Sequence, residues 1–120
     1  MTDEARESRA ESRQAQLLKG LGELALLDLL RERPHYGLEI LDRLRVEAGV
    51  DLAEGTIYPL LHRLEKAGRV KAEWRLEEAN ARPRKYYALT AEGERDLATQ
   101  LTEWRRLSQA LKKFFDRKKP

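Results

Sequence analysis

The sequence has no cysteine and only two histidines. Disulfides and thiolate metal ligands are therefore excluded, a usage compatible with the reducing cytoplasm in which the reading places the protein. His35 and His62 stand apart from each other and from any acidic cluster, and no metal-ligand spacing, Gly-rich phosphate loop or Cys nucleophile occurs. The pattern gives no sign of an enzyme, a metal site or a cofactor. His35 invites a catalytic reading, but a lone histidine with no partners nearby is expected to fill a loop or capping role. Long apolar runs are missing too. The longest, near residues 24–30, contains Asp28 and is far too short to cross a bilayer, and the N-terminal stretch MTDEARESRAESRQ is too polar for a signal peptide.

What the chain has in abundance is charge. Its 120 residues carry 24 Lys or Arg against 21 Asp or Glu, for a net charge of +3. Within residues 52–89 eight basic residues face five acidic ones, so the whole excess sits in that stretch. A charge run is commonly only a solvated face. Here it coincides with a specific pattern.

Ile57, Leu60, Leu61 and Leu64 recur at helical spacing, and Gly68 follows as a stop. From Val70 the period becomes two: Val70, Ala72, Trp74 and Leu76 alternate with Lys71, Glu73 and Arg75, and KYYAL (85–89) reads as a second strand. A short helix, a hairpin and the basic loop Arg82, Pro83, Arg84, Lys85 in one run is the order of a winged helix-turn-helix, whose helix enters the DNA major groove. The expected fold is mainly α with a small β part (α+β): a winged helix with a two-stranded wing and a long C-terminal dimerisation helix. Its divisions are a flexible charged arm at 1–16 or a solvated extension of the first helix, the winged helix at 17–89, the dimerisation helix at 90–116 and a frayed tail at 117–120. Gly20 and Gly22 predict that the first helix begins or kinks there. Pro34 should end it, with His35, Tyr36 and Gly37 opening the second.

The segments GTIYPLLHRLEKAG, RPRKYYALTAEGE and PHYGLEILDRL resemble the PadR family of bacterial transcriptional regulators, and the resemblance covers about residues 17–115. It implies a homodimer that binds double-stranded DNA at an inverted repeat, most often as a repressor. Some members hold a flat aromatic effector at the dimer interface against a tryptophan of the last helix, and Trp104 resembles that position. A tryptophan there is also a natural interface core residue. The competing reading is a dimeric ligand-binding or protein-interaction module of the same fold without specific DNA binding.

With the apolar stripe facing inward, Thr56, Tyr58, Pro59, His62 and Arg63 are left on the outer face of the recognition helix. Thr56 and Tyr58 are expected to bond phosphates, Pro59 and His62 to lie nearest the base edges, and Arg63 to meet a phosphate or a nearby acid such as Glu65 or Glu77. Tyr58 equally suits a packed rim. Arg82, Arg84 and Lys85 should grip the backbone from the wing base, while Glu77 and Glu78 hold the tip, turned at Asn80, out of the groove. Asp51 and Glu54 fit a capping box for the recognition helix, and Thr90 an N-cap for the last one. In that last helix Leu97, Leu101, Trp104, Leu111 and Phe115 form a heptad seam suited to a second copy, widened by Leu107 and Phe114.

Overall fold

A computed structural model describes residues 2–76 and 82–118. The wing-tip residues Glu77, Glu78 and Asn80 lie outside them. In chain order the elements are α1 (Asp3–Leu30), β1 (His35–Tyr36), α2 (Gly37–Ala48), α3 (Glu54–Lys66), β2 (Val70–Arg75), β3 (Arg84–Leu89) and α4 (Ala91–Phe115).

The Thr2 hydroxyl caps α1 by accepting from the Ala5 amide at 3.3 Å, with Asp3 and Glu4 at the positive end of the helix dipole. The backbone of residues 3–16 thus continues the first helix. Gly20 has φ +92°, a left-handed value that α-helical geometry does not share, so the backbone departs locally from helical geometry at this glycine although α1 continues through it. Beyond it Leu24, Leu26, Leu27 and Leu30 are buried against Ile40 and Leu44 of α2, Ile57, Leu60, Leu61 and Leu64 of α3, Val70, Tyr87 and Leu97. Every helix and strand except β1 sends at least one side chain into this single core.

Two boundaries differ from the sequence reading. His35 and Tyr36 do not open α2; they pair antiparallel with β3, His35 opposite Tyr87 and Tyr36 opposite Tyr86. The sheet therefore has three strands in the order β1-β3-β2, and the two-stranded wing is its outer part. The capping box is absent as well. Ala53 is the N-cap of α3 and supplies no side-chain bond; its carbonyl accepts from Thr56 and Ile57 in the ordinary helical way.

His35 is fully buried beside its strand partner, and its ring bonds fix its tautomer. Nε2 lies 2.9 Å from the Arg43 guanidinium, which can only donate, so Nε2 must accept. Nδ1 then carries the proton and donates to the Arg33 carbonyl at 2.8 Å. Burial lowers the pKa of this histidine below its ordinary 6.5, and the nearby Arg33 and Arg43 charges act in the same direction. Arg43 is itself held by Glu32 and Glu47, whose own pKa values its hydrogen bonds depress.

The unfolded chain binds a proton at His35 more readily than the folded one. Its contribution is therefore complete above about pH 6.5 and shrinks as the pH falls below that value. We expect Tm to decline between about pH 6.5 and about pH 5, before the carboxylates titrate. A Tm that stays level across this interval in thermal unfolding would mean that the ring is solvated and already tolerates its charge.

At the other end of the core, α3 is closed by Gly68 at φ +76°, with the Arg69 amide donating to the Leu64 carbonyl and the Gly68 amide to Glu65, each at 3.0 Å. The start of α4 is bolted to this turn. Thr90 caps α4 by accepting from the Gly93 amide at 3.0 Å, while its hydroxyl donates to the Gly68 carbonyl at 2.6 Å. The Thr90 amide donates to the Arg69 carbonyl at 3.1 Å, and the Arg69 guanidinium bonds Asp96 at 2.6 Å. Gly93 is buried at the point of closest approach.

Leu97 belongs to the protomer's own core, at 1% exposure, and Leu101 packs partly against it. The assignment of Leu97 to an intermolecular seam is thereby corrected: α1 occupies the first turns of α4. The free apolar stripe starts at Trp104, 40% exposed, and continues through Leu107, Leu111, Phe114 and Phe115, the last 71% exposed.

Candidate nucleic-acid interface

The outer face of α3 carries the side chains expected there. Thr56, Tyr58, Pro59, His62 and Arg63 are all exposed, on the side opposite the buried Ile57, Leu60, Leu61 and Leu64. Two features of the helix keep backbone polar groups available on this side. No side chain caps its N-terminus, where the first amides and the positive end of the dipole favour an anion. Pro59 lies inside the helix and has no N–H, so the Gly55 carbonyl one turn earlier loses its usual donor.

Tyr58 is packed at the rim of the helix and still partly exposed. Its ring lies over Gly37 at the start of α2, so close that a Cβ there would stand 2.5 Å from the ring edge. Yet the residue is 41% exposed. Gly37 leaves room for the ring against the α2 backbone; burial and the Glu54 carboxylate raise the hydroxyl's pKa, so it stays a donor. Among the described residues Arg63 does not pair with Glu65, and Glu77 lies outside them. The carboxylate it approaches is Glu23 of α1, at 4.0 Å, and most of the side chain is in solvent.

The hairpin separates the basic residues that the sequence placed together. Strand alternation puts Arg84 and Lys85 on opposite faces of the ribbon. Lys85 pairs across the ladder with Trp74, and its ammonium sits 3.6 Å from Glu65 of α3, so it braces the wing against the recognition helix. Arg84 faces the other way, stacked 4.6 Å above the Tyr36 ring. Arg82, just before the strand, is exposed. Between α2, α3 and the ribbon runs an open cleft of about 760 Å³, with Tyr58, Gly37 and Leu38 on one side and Trp74, Arg84 and Lys85 on the other. Trp74 is 67% exposed at its rim. Trp104 is no part of the cleft.

Sequence reasoning did not single out Trp74 or Arg75. In the alternation Trp74 counted as an inward residue and Arg75 as a solvated one. The fold leaves Trp74 largely exposed, and the register places Arg75 directly opposite Arg84.

Among the described residues no group of three His, Cys, Asp or Glu is arranged to hold a metal, and no helix is long and apolar enough to cross a membrane. The transcriptional regulator PadR-like family matches the chain over residues 26–99. A PadR family transcriptional regulator from Eggerthella lenta is 32% identical, with 95% of this chain and 98% of that one aligned at a TM-score of 0.79. A Streptococcus transcriptional regulator is 39% identical over 84% of this chain and 98% of its own, at a TM-score of 0.74. Among curated proteins none matches.

Proposed function

Since the chain belongs to the transcriptional regulator PadR-like family, it is a DNA-binding regulator of transcription and not an enzyme, and from that premise we propose that it acts as a homodimeric repressor of an inverted-repeat operator. The observation that carries the proposal is the apolar stripe from Trp104 to Phe115, left uncovered by the chain's own core on a helix bolted to the end of α3. A second copy covers such a stripe most simply by symmetric pairing. Pairing through α4 would present two α3 helices to one face of a duplex, with half-site centres about 34 Å apart.

In this reading the amides at the α3 tip, Thr56 and Tyr58 bond phosphates, and Pro59 and His62 approach base edges. Arg63, Arg82, Arg84 and Lys85 supply the charge that holds the backbone. A bound dimer excludes other proteins from the site it covers. An effector lifts repression only if it binds unequally to the DNA-competent and incompetent dimers, and a flat aromatic compound against Trp104 at the interface is the form proposed.

Fluorescence anisotropy with the DNA upstream of the chain's own gene, beside a scrambled duplex, tests the proposal across a salt series. We expect at least about a thousandfold preference for the native fragment, with log affinity falling linearly in log salt. Equal, weak binding to both duplexes would favour a dimeric ligand-binding or protein-interaction module instead.

A further inference from the structure

We propose that Arg75 and Arg84 form a two-guanidinium clamp for a single DNA phosphate on the outer face of the wing; the inference rests on the DNA-binding reading above. The two arginines are direct cross-strand partners in the β2-β3 ladder, so both side chains leave the same face of the ribbon. Like charges placed directly opposite each other disfavour the hairpin. Neither is turned away. Arg75 lies over the Tyr86 ring at 4.9 Å and Arg84 over the Tyr36 ring at 4.6 Å. The two rings meet edge to face at 5.5 Å, held by the pairing of Tyr36 with Tyr86 in the β1-β3 ladder.

This stack orders two flexible side chains before any partner arrives. Guanidinium planes on aromatic faces keep their N–H forks available at the edges, which is the geometry that takes a phosphate oxygen bidentately. Among the described residues the neighbouring charge does not cancel the pair. Glu73 on the same face approaches Arg75 at 3.6 Å, but it is largely in solvent and answers only one of the two cations. Among the described residues no carboxylate lies within ion-pair distance of Arg84. An anion placed between the forks relieves the repulsion and meets donors already in position.

The other outward-facing cation on this strand differs in its surroundings. Lys71 also faces outward on β2, but it stands opposite Ala88 with no second cation across the ladder. It serves as the control. The occupant is a DNA phosphodiester, because the ribbon is the wing of a DNA-binding fold and its other face braces α3 through Lys85 and Glu65.

The test compares wild type, R75A, R75K and K71A by anisotropy on operator and scrambled duplexes from low to moderate salt, after circular dichroism has shown each to be folded. For R75A we expect affinity reduced about five- to tenfold on both duplexes and the slope of log affinity against log salt reduced by about one. R75K keeps the charge without the fork and should recover the slope but only part of the affinity. K71A should match wild type. A scan of single methylphosphonates along the operator should then find one position whose neutralisation weakens wild type but not R75A. An R75A protein with wild-type slope and affinity overturns the clamp while leaving the regulator reading intact. Failure of wild type itself to bind DNA overturns both, and shows in a different sample.

Discussion

Alanine at Gly93 is expected to cost about 3 kcal/mol of stability, or a fall in Tm of about 10–15 °C for a domain of this size. A Cβ at this position would lie 2.1 Å from the Arg69 carbonyl oxygen and 2.8 Å from a Leu89 methyl. The obstructing atom is backbone, and it is already engaged by the Thr90 amide, so it cannot swing aside as a side chain would. The α4 start must instead lift off the turn after α3, loosening the Thr90 and Asp96 bonds together. Gly55 provides the contrast. It lies on a helix with nothing within 4 Å of its would-be Cβ, so G55A should leave stability unchanged or raise it by up to about 1 kcal/mol. Thermal unfolding of the two variants side by side checks the argument. If G93A melts with wild type, the close approach of α4 to Arg69 is not a feature of the folded protein.

The second large effect concerns assembly. Leu107 and Leu111 are about half exposed and contribute nothing to the protomer core, so L107E with L111E should leave the fold intact. In the proposed dimer the same two charges lie in the seam. We expect sedimentation to report the 14.0 kDa protomer in place of 2 × 14.0 = 28 kDa for the pair. Operator affinity should drop by a factor of about 10² to 10⁴, since the second half-site is no longer bound intramolecularly. A variant that still sediments as a dimer would show that the copies meet elsewhere.

The elements that announce themselves by repetition were legible in the sequence. The α3 stripe of Ile57, Leu60, Leu61 and Leu64 is buried as read, and the alternation from Val70 onward is the strand it suggested. Thr90 caps α4 because a hydroxyl before an acidic first turn has a local partner to find. What escaped depended on distant partners. A two-residue strand such as His35–Tyr36 has no period to detect, and its ladder exists only because β3 returns beside it. The burial of His35 follows from that pairing and from Arg43. The heptad spacing of α4 was real, but spacing alone does not say whether a leucine faces its own domain or a neighbour, and α1 decides this for Leu97. Ala53 is the N-cap of α3 although Asp51 and Glu54 have the chemistry for a capping box, since the turn brings neither side chain to the first amides. At the candidate site, residue types pointed to Arg82, Arg84 and Lys85, while register put Arg84 and Lys85 on opposite faces.

The joint at Thr90 gives the molecule a mechanical property. α4 has 25 residues and is about 37 Å long, and its near end is fastened through Gly68, Arg69 and Asp96 to the end of α3. In the proposed dimer it would work as a crank. A turn of about 10° at the far end would carry the attached recognition helix through about 6 Å, close to two base-pair steps, with no bending inside the winged domain. In that dimer, gearing of this kind would amplify small adjustments along the stripe into a misfit with the period of the double helix.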